Sequence, residues 1–93
     1  MRNIVVLPSF DRSVKRFSVE EKKRLAEALR DLNHFGLTGK ISKGFGLTKI
    51  DHDKYEFRVS LDLRVALKTD GANLYLVMAG NHDDVRRYLR NYR

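Results

Sequence analysis

Residues 55–64 read Tyr-Glu-Phe-Arg-Val-Ser-Leu-Asp-Leu-Arg, and the run continues as Val-Ala-Leu-Lys to position 68. Read with period two, Phe57 and Val59 share one face while Glu56 and Arg58 share the other. After a bend at Ser60–Asp62 the pattern resumes, with Leu63, Val65 and Leu67 on one face and Arg64 and Lys68 opposite. Such alternation marks half-buried strands, and two runs this close predict a hairpin. Its apolar face is expected to join a core. Its other face sets fixed cations beside carboxylates, and function is sought there.

Downstream, Asp70-Gly71 is a strong hairpin signal, so Asn73–Ala79 should pair back onto the Leu63–Thr69 strand. Leu74, Leu76 and Met78 alternate with Tyr75, Val77 and Ala79. A strand apolar on both faces belongs inside a sheet. Gly80 then releases the chain into Asn81-His82-Asp83-Asp84. Asp83 or Asp84 is expected to open a short final helix bearing Arg86, Arg87, Tyr88 and Arg90. Upstream of the hairpin, Leu47–Asp51 begins a strand and His52–Asp53 supplies a turn.

Asn3–Leu7 reads as a short strand that Pro8 ends by removing a backbone donor. Ser9 is the expected cap of a first helix, in which Phe10, Val14 and Phe17 form one stripe. Ser18-Val19-Glu20-Glu21 is a capping box. It opens a second helix with Leu25, Leu29 and Leu32 on its inner face and an exposed Glu20–Arg24 pair. Gly36 is expected to end that helix. The basic residues of the two helices (Lys15, Arg16, Lys22, Lys23 and Arg24) read first as a solvated face and second as nucleic-acid backbone contacts. Residues 37–46 carry Gly39, Gly44 and Gly46 with Lys40 and Lys43. This is not a Walker loop, because the spacing is wrong and no helix follows; it reads as a connector. The expectation is one α+β domain over residues 1–93: N-terminal strand, two-helix hairpin, antiparallel sheet of three to four strands, short C-terminal helix.

The chain has 93 residues, 42% hydrophobic and 33% charged, which suits a globular domain with one small core. No apolar run approaches the ~20 residues needed to span a bilayer. Ile4–Leu7 before Pro8 is too short for a signal-peptide core, so a cytoplasmic address and no membrane partner are expected. Cysteine is absent, which removes disulfide and thiolate chemistry. A formal charge of +7 exceeds what solubility requires and points to a polyanionic partner, nucleic acid before acidic protein.

The element order, with Tyr-x-x-Arg-x-x-x-Asp-x-Arg on the hairpin and Gly-x-His-x-Asp closing the last strand, resembles the RelE/ParE superfamily of type II toxins. The likeness spans nearly the whole chain, starting from Leu7-Pro8-Ser9-Phe10. The RelE branch implies a ribosome-dependent endoribonuclease that cuts mRNA and is restrained by a cognate antitoxin. Carried over by position, Arg64 matches the arginine beside the scissile phosphate. Arg58 stands where members carry a lysine, histidine or arginine, and His82 matches a histidine or arginine after the terminal glycine. Asp62 matches an acid used in some branches. Two positions depart from the pattern: Arg86 stands where an aromatic residue is common, and Glu56 replaces a lysine of some members. A ParE-like gyrase inhibitor without enzymatic activity, or an inactive basic RNA-binding module, are the alternatives.

Metal-free RNA cleavage uses the 2′-hydroxyl as nucleophile, so the enzyme must neutralise a phosphorane and move two protons. A planar guanidinium such as Arg64 grips two phosphate oxygens and stays charged. Otherwise Arg64 is a strand arginine paired with Glu56 or Asp62. An imidazole titrates near neutrality, so His82 can serve as acid or base, or can merely cap a helix. Arg58 is a second phosphate contact or a structural ion pair, and Asp62 an acid or only a turn residue. Lys49, Lys68, Arg86 and Tyr88 are candidate contacts to RNA or ribosomal RNA, with Tyr88 stacking on a base or packing the last helix. His34 and His52 are read as bystanders. No metal or small-molecule cofactor is expected, since His82, Asp83 and Asp84 are adjacent and cannot all converge on one ion.

Overall fold

The computed structural model describes residues 3–38 and 47–91. The elements in chain order are β1 (Asn3–Val6), α1 (Pro8–Val14), α2 (Val19–Thr38), β2 (Leu47–Lys49), β3 (Lys54–Arg58), β4 (Arg64–Asp70), β5 (Asn73–Gly80) and α3 (His82–Asn91). The connector at 39–46 lies outside the described residues.

The strands form one five-stranded sheet in the order β1-β5-β4-β3-β2. The predicted hairpin is β3–β4, with Phe57 opposite Val65 and Arg58 opposite Arg64. Strands β2 to β5 are the antiparallel four expected; the N-terminal strand β1 joins the same sheet and makes it mixed, at the far edge parallel to β5, Asn3 opposite Asn73. Parallel neighbours need a long crossover, which α1, α2 and the hairpin supply. Gly71, at φ +60, makes the two-residue β4–β5 turn that an L-residue would strain.

Both helices of the first half cover one sheet face. Phe10 of α1 and Leu25 and Leu32 of α2 are buried against Phe57, Leu67 and Leu76. The capping box forms as read: Ser18 N donates to Glu21 Oε1 at 2.8 Å and Glu21 N to Ser18 Oγ at 3.1 Å. Gly36 does not end α2, which runs to Thr38; a single helical glycine costs only about 1 kcal/mol.

Nor does Ser9 cap α1. The helix starts at Pro8, whose fixed φ suits the first position and whose missing N–H needs no cap. The Ser9 hydroxyl instead donates to Val77 O. One turn on, the buried Ser13 hydroxyl accepts from Ala79 N at 2.9 Å and donates to Phe10 O at 2.7 Å. β1 pairs with β5 only as far as Leu76. Past that point, two serines of α1 bond the edge that β1 leaves.

The other sheet face receives α3, through Val85, Tyr88 and Leu89 on Ala66, Val77 and Met78. A bulge sits here, for Ala66 pairs with Met78 but Leu67 with Leu76. The extra residue breaks the alternation expected for β5, so Val77 and Met78 both lie under α3. The helix begins at His82 rather than at Asp83 or Asp84, because Asn81 is the cap: its Oδ1 accepts from Asp84 N at 2.7 Å.

Candidate active site

On the α3 face, register pairing lays Arg58, Arg64 and Gly80 in one row across β3, β4 and β5. Arg58 is exposed and Arg64 half-buried. Neither has a carboxylate partner among the described residues, and the Nε of Arg64 is buried with no hydrogen-bond partner among them. The pairing of Arg64 with Glu56 or Asp62 is therefore not what the structure contains. Two arginines are register partners across the hairpin, and among the described residues no carboxylate is ion-paired with either.

The next row holds Glu56, Ala66 and Met78. Glu56 is buried, 2% exposed, and its partners come from the first turns of α3. His82 Nδ1 lies 3.0 Å from Oε1, and Arg86 Nη2 lies 3.4 Å from Oε2. The His82 side chain is 49% exposed, so one edge of the ring meets a buried carboxylate while much of the rest faces solvent. Glu56 and Arg86, the two positions that depart from the toxin pattern, are thus one ion pair.

Gly80 sets the entry of α3. A Cβ there would lie 3.1 Å from Asp84 Cβ and 3.3 Å from its Oδ2, so a side chain would push the first helical turn away. Asn81, Gly80 and Glu56 together fix His82 two residues past Gly80, the register partner of Arg64. Asp62 lies elsewhere, exposed in the β3–β4 loop that Val59 N and Ser60 N close on Leu63 O at 2.9 and 3.1 Å. It has no ion-pair partner among the described residues.

The binding candidates divide. Lys49 is opposite Tyr55, which puts it on the α1–α2 face, away from the arginine row. Lys68 shares the α3 face with its register partner Lys54. Asp53 sits between them, with Oδ1 3.3 Å from Lys54 Nζ and Oδ2 4.0 Å from Lys68 Nζ. Burial raises the Asp53 carboxyl, but the hydrogen bond and charge of Lys54, a backbone hydrogen bond and the charge of Lys68 together hold it below its ordinary value. Tyr88 is half-buried against the sheet, as a packing residue would be. Arg86 lines an open groove of ≈ 500 Å³ with Ile50, Asp51, Lys54, Leu89 and Arg90. Lys54 and Arg90 had drawn no notice as site residues; for Lys54 the signal was there, in its period-two spacing from Glu56 and Arg58. His52 is exposed in the β2–β3 turn, and the His34 side chain lies outside the described residues. Among the described residues no cluster of His, Asp and Glu is arranged to hold a metal ion, and no helix is long and apolar enough to cross a membrane.

A mixed sheet with two helices on one face and a third after its last strand is the RelE-like toxin fold, and the chain has it. A chain of the RelB–RelE antitoxin–toxin complex from Methanococcus jannaschii superposes with a TM-score of 0.69 at 13% identity, over 90% of this chain and 96% of that one. A chain of the DinJ–YafQ complex from Escherichia coli gives 0.67 at 14%, over 91% and 98%. The YoeB dimer from Staphylococcus aureus gives 0.65 at 18%, over 87% and 97%. No protein-family model matches the sequence, and no curated protein matches it. At these identities the likeness is one of fold.

Proposed function

We propose that this chain is the toxin of a type II toxin–antitoxin pair, a one-domain cytoplasmic endoribonuclease that cuts ribosome-bound mRNA and so stops translation. The observation that carries the reading is the row of Arg58, Arg64 and Gly80, in which neither arginine has a carboxylate partner among the described residues, with His82 two residues past Gly80. In this reading the RNA 2′-hydroxyl attacks the adjacent phosphorus and the 5′-oxygen leaves. Arg64, assisted by Arg58, takes the charge that builds on the phosphorane oxygens, which is the largest contribution such a site can make. His82 moves one of the two protons. Asp62, out on its loop, has no assigned step. Lys54, Lys68, Arg86 and Arg90 give the same face a positive field that suits mRNA and ribosomal RNA phosphates. An antitoxin with an acidic or amphipathic segment suits that field equally, and two of the fold neighbours come from antitoxin complexes.

Purified ribosomes programmed with a reporter mRNA test the proposal. Wild type is expected to cut within the ribosomal A site, and Arg64→Ala to lower the rate by about 100-fold or more while the circular dichroism spectrum is unchanged. Intact mRNA with the wild-type protein, or equal cutting by the variant, would refute it.

A further inference from the structure

We propose that Glu56 is a positioning residue for His82: its buried carboxylate fixes the imidazole as the Nδ1–H tautomer and leaves Nε2 as the ring's working nitrogen. The geometry points this way in three steps. An ionised carboxylate has only acceptors, so with Oε1 3.0 Å from Nδ1 the hydrogen of that contact belongs to the ring. The neutral ring then carries its lone pair on Nε2, on the edge away from Glu56, in a side chain half in solvent. Arg86 on Oε2 supplies a permanent counter-charge, so Glu56 does not need a protonated His82 to be balanced.

Stability alone does not ask for a carboxylate at this position. Glu56 sits in a row with Ala66 and Met78, beneath a helix that buries Val85 and Leu89, and an apolar residue of similar volume often serves such a place as well or better. What the carboxylate adds is direction: it holds one edge of one ring, two residues past the register partner of Arg64. The role in catalysis rests on the nuclease reading above. The tautomer does not.

Long-range ¹H–¹⁵N spectra of the full chain, recorded at alkaline pH where the ring is neutral and assigned with His82→Gln, read the tautomer directly. Wild type should show protonated Nδ1 and bare Nε2 at His82. Glu56→Leu should shift the ring to the Nε2–H form that free histidine prefers. The same variant should lower kcat for mRNA cleavage by roughly 100-fold, the scale of a positioned proton-transfer group, with KM nearly unchanged because Arg58 and Arg64 remain. His82 in the Nε2–H form in the wild type overturns the proposal even if Glu56→Leu fails to fold. An unchanged tautomer in a folded Glu56→Leu, or a loss confined to KM, overturns it as well. A wild type with the expected tautomer that cuts no mRNA refutes the nuclease reading and leaves the anchoring of His82 in place.

Discussion

Arg58 and Arg64 face each other as register partners across the β3–β4 hairpin, and no carboxylate of the described residues is ion-paired with either. Like charges directly opposite on a sheet work against the fold, by a few tenths to about 1 kcal/mol. Arg58→Thr should therefore raise stability by about 0.5 kcal/mol, read as a later urea midpoint with the same slope. It should at the same time weaken binding of a short RNA, with a shallower salt dependence. A variant less stable than the parent would mean that the pair is held together by something the geometry does not show.

Ser13 serves as part of the sheet edge, although it belongs to a helix. Ser13→Ala strands the buried N–H of Ala79 and should cost about 2 kcal/mol, measured by urea unfolding. Ser9→Ala, at a half-buried site where only a carbonyl loses its donor, should cost about 1 kcal/mol. If the two variants unfold at the same midpoint, the bond to Ala79 N is not what anchors α1.

Glu56 and Arg86 should behave as a unit. Arg86→Leu leaves a buried carboxylate with His82 alone and is expected to lose about 2 kcal/mol, moderated because Arg86 is 43% exposed. Glu56→Leu with Arg86→Leu should recover most of that loss. Strict additivity in this double-mutant cycle would show that the ion pair carries no coupling.

Asp53 joins two lysines that would otherwise repel, and its lowered carboxyl sets the sign of a pH effect. A carboxylate depressed in the folded state stabilises it above the unfolded value, and the contribution disappears as pH falls through the folded value. Asp53→Asn should melt below the wild type at neutral pH, and the two Tm curves should converge in acid. Curves that stay parallel throughout would assign the effect to shape rather than charge.

Local features were legible in the chain itself. The capping box at Ser18–Glu21, the alternation of Glu56 and Arg58 against Phe57, and the Asp70-Gly71 turn each depend on residues a few positions apart. What required coordinates was non-local. β1 pairs with a strand 70 positions away, and no pattern in Ile4–Val6 names its partner. The bulge at Val77 turns Met78 onto the α3 face, which no local pattern announces. Glu56 and Arg86, 30 positions apart on different elements, looked like two separate departures from the toxin pattern and are one contact. The lysines were the weakest part of the reading, because charge alone does not say which sheet face a residue occupies; Lys49 proved to be on the far one.

The parallel seam between β1 and β5 has a temporal meaning. β1 waits for a strand made 70 positions later, and the serines of α1 wait for the same strand. Gly80 and His82 come later still. During synthesis the ribosome that makes this chain therefore holds a nascent segment in which the arginine row is unfinished and the imidazole has not been added. A site drawn from β3, β4 and α3 is therefore incomplete until the last of those elements has been made.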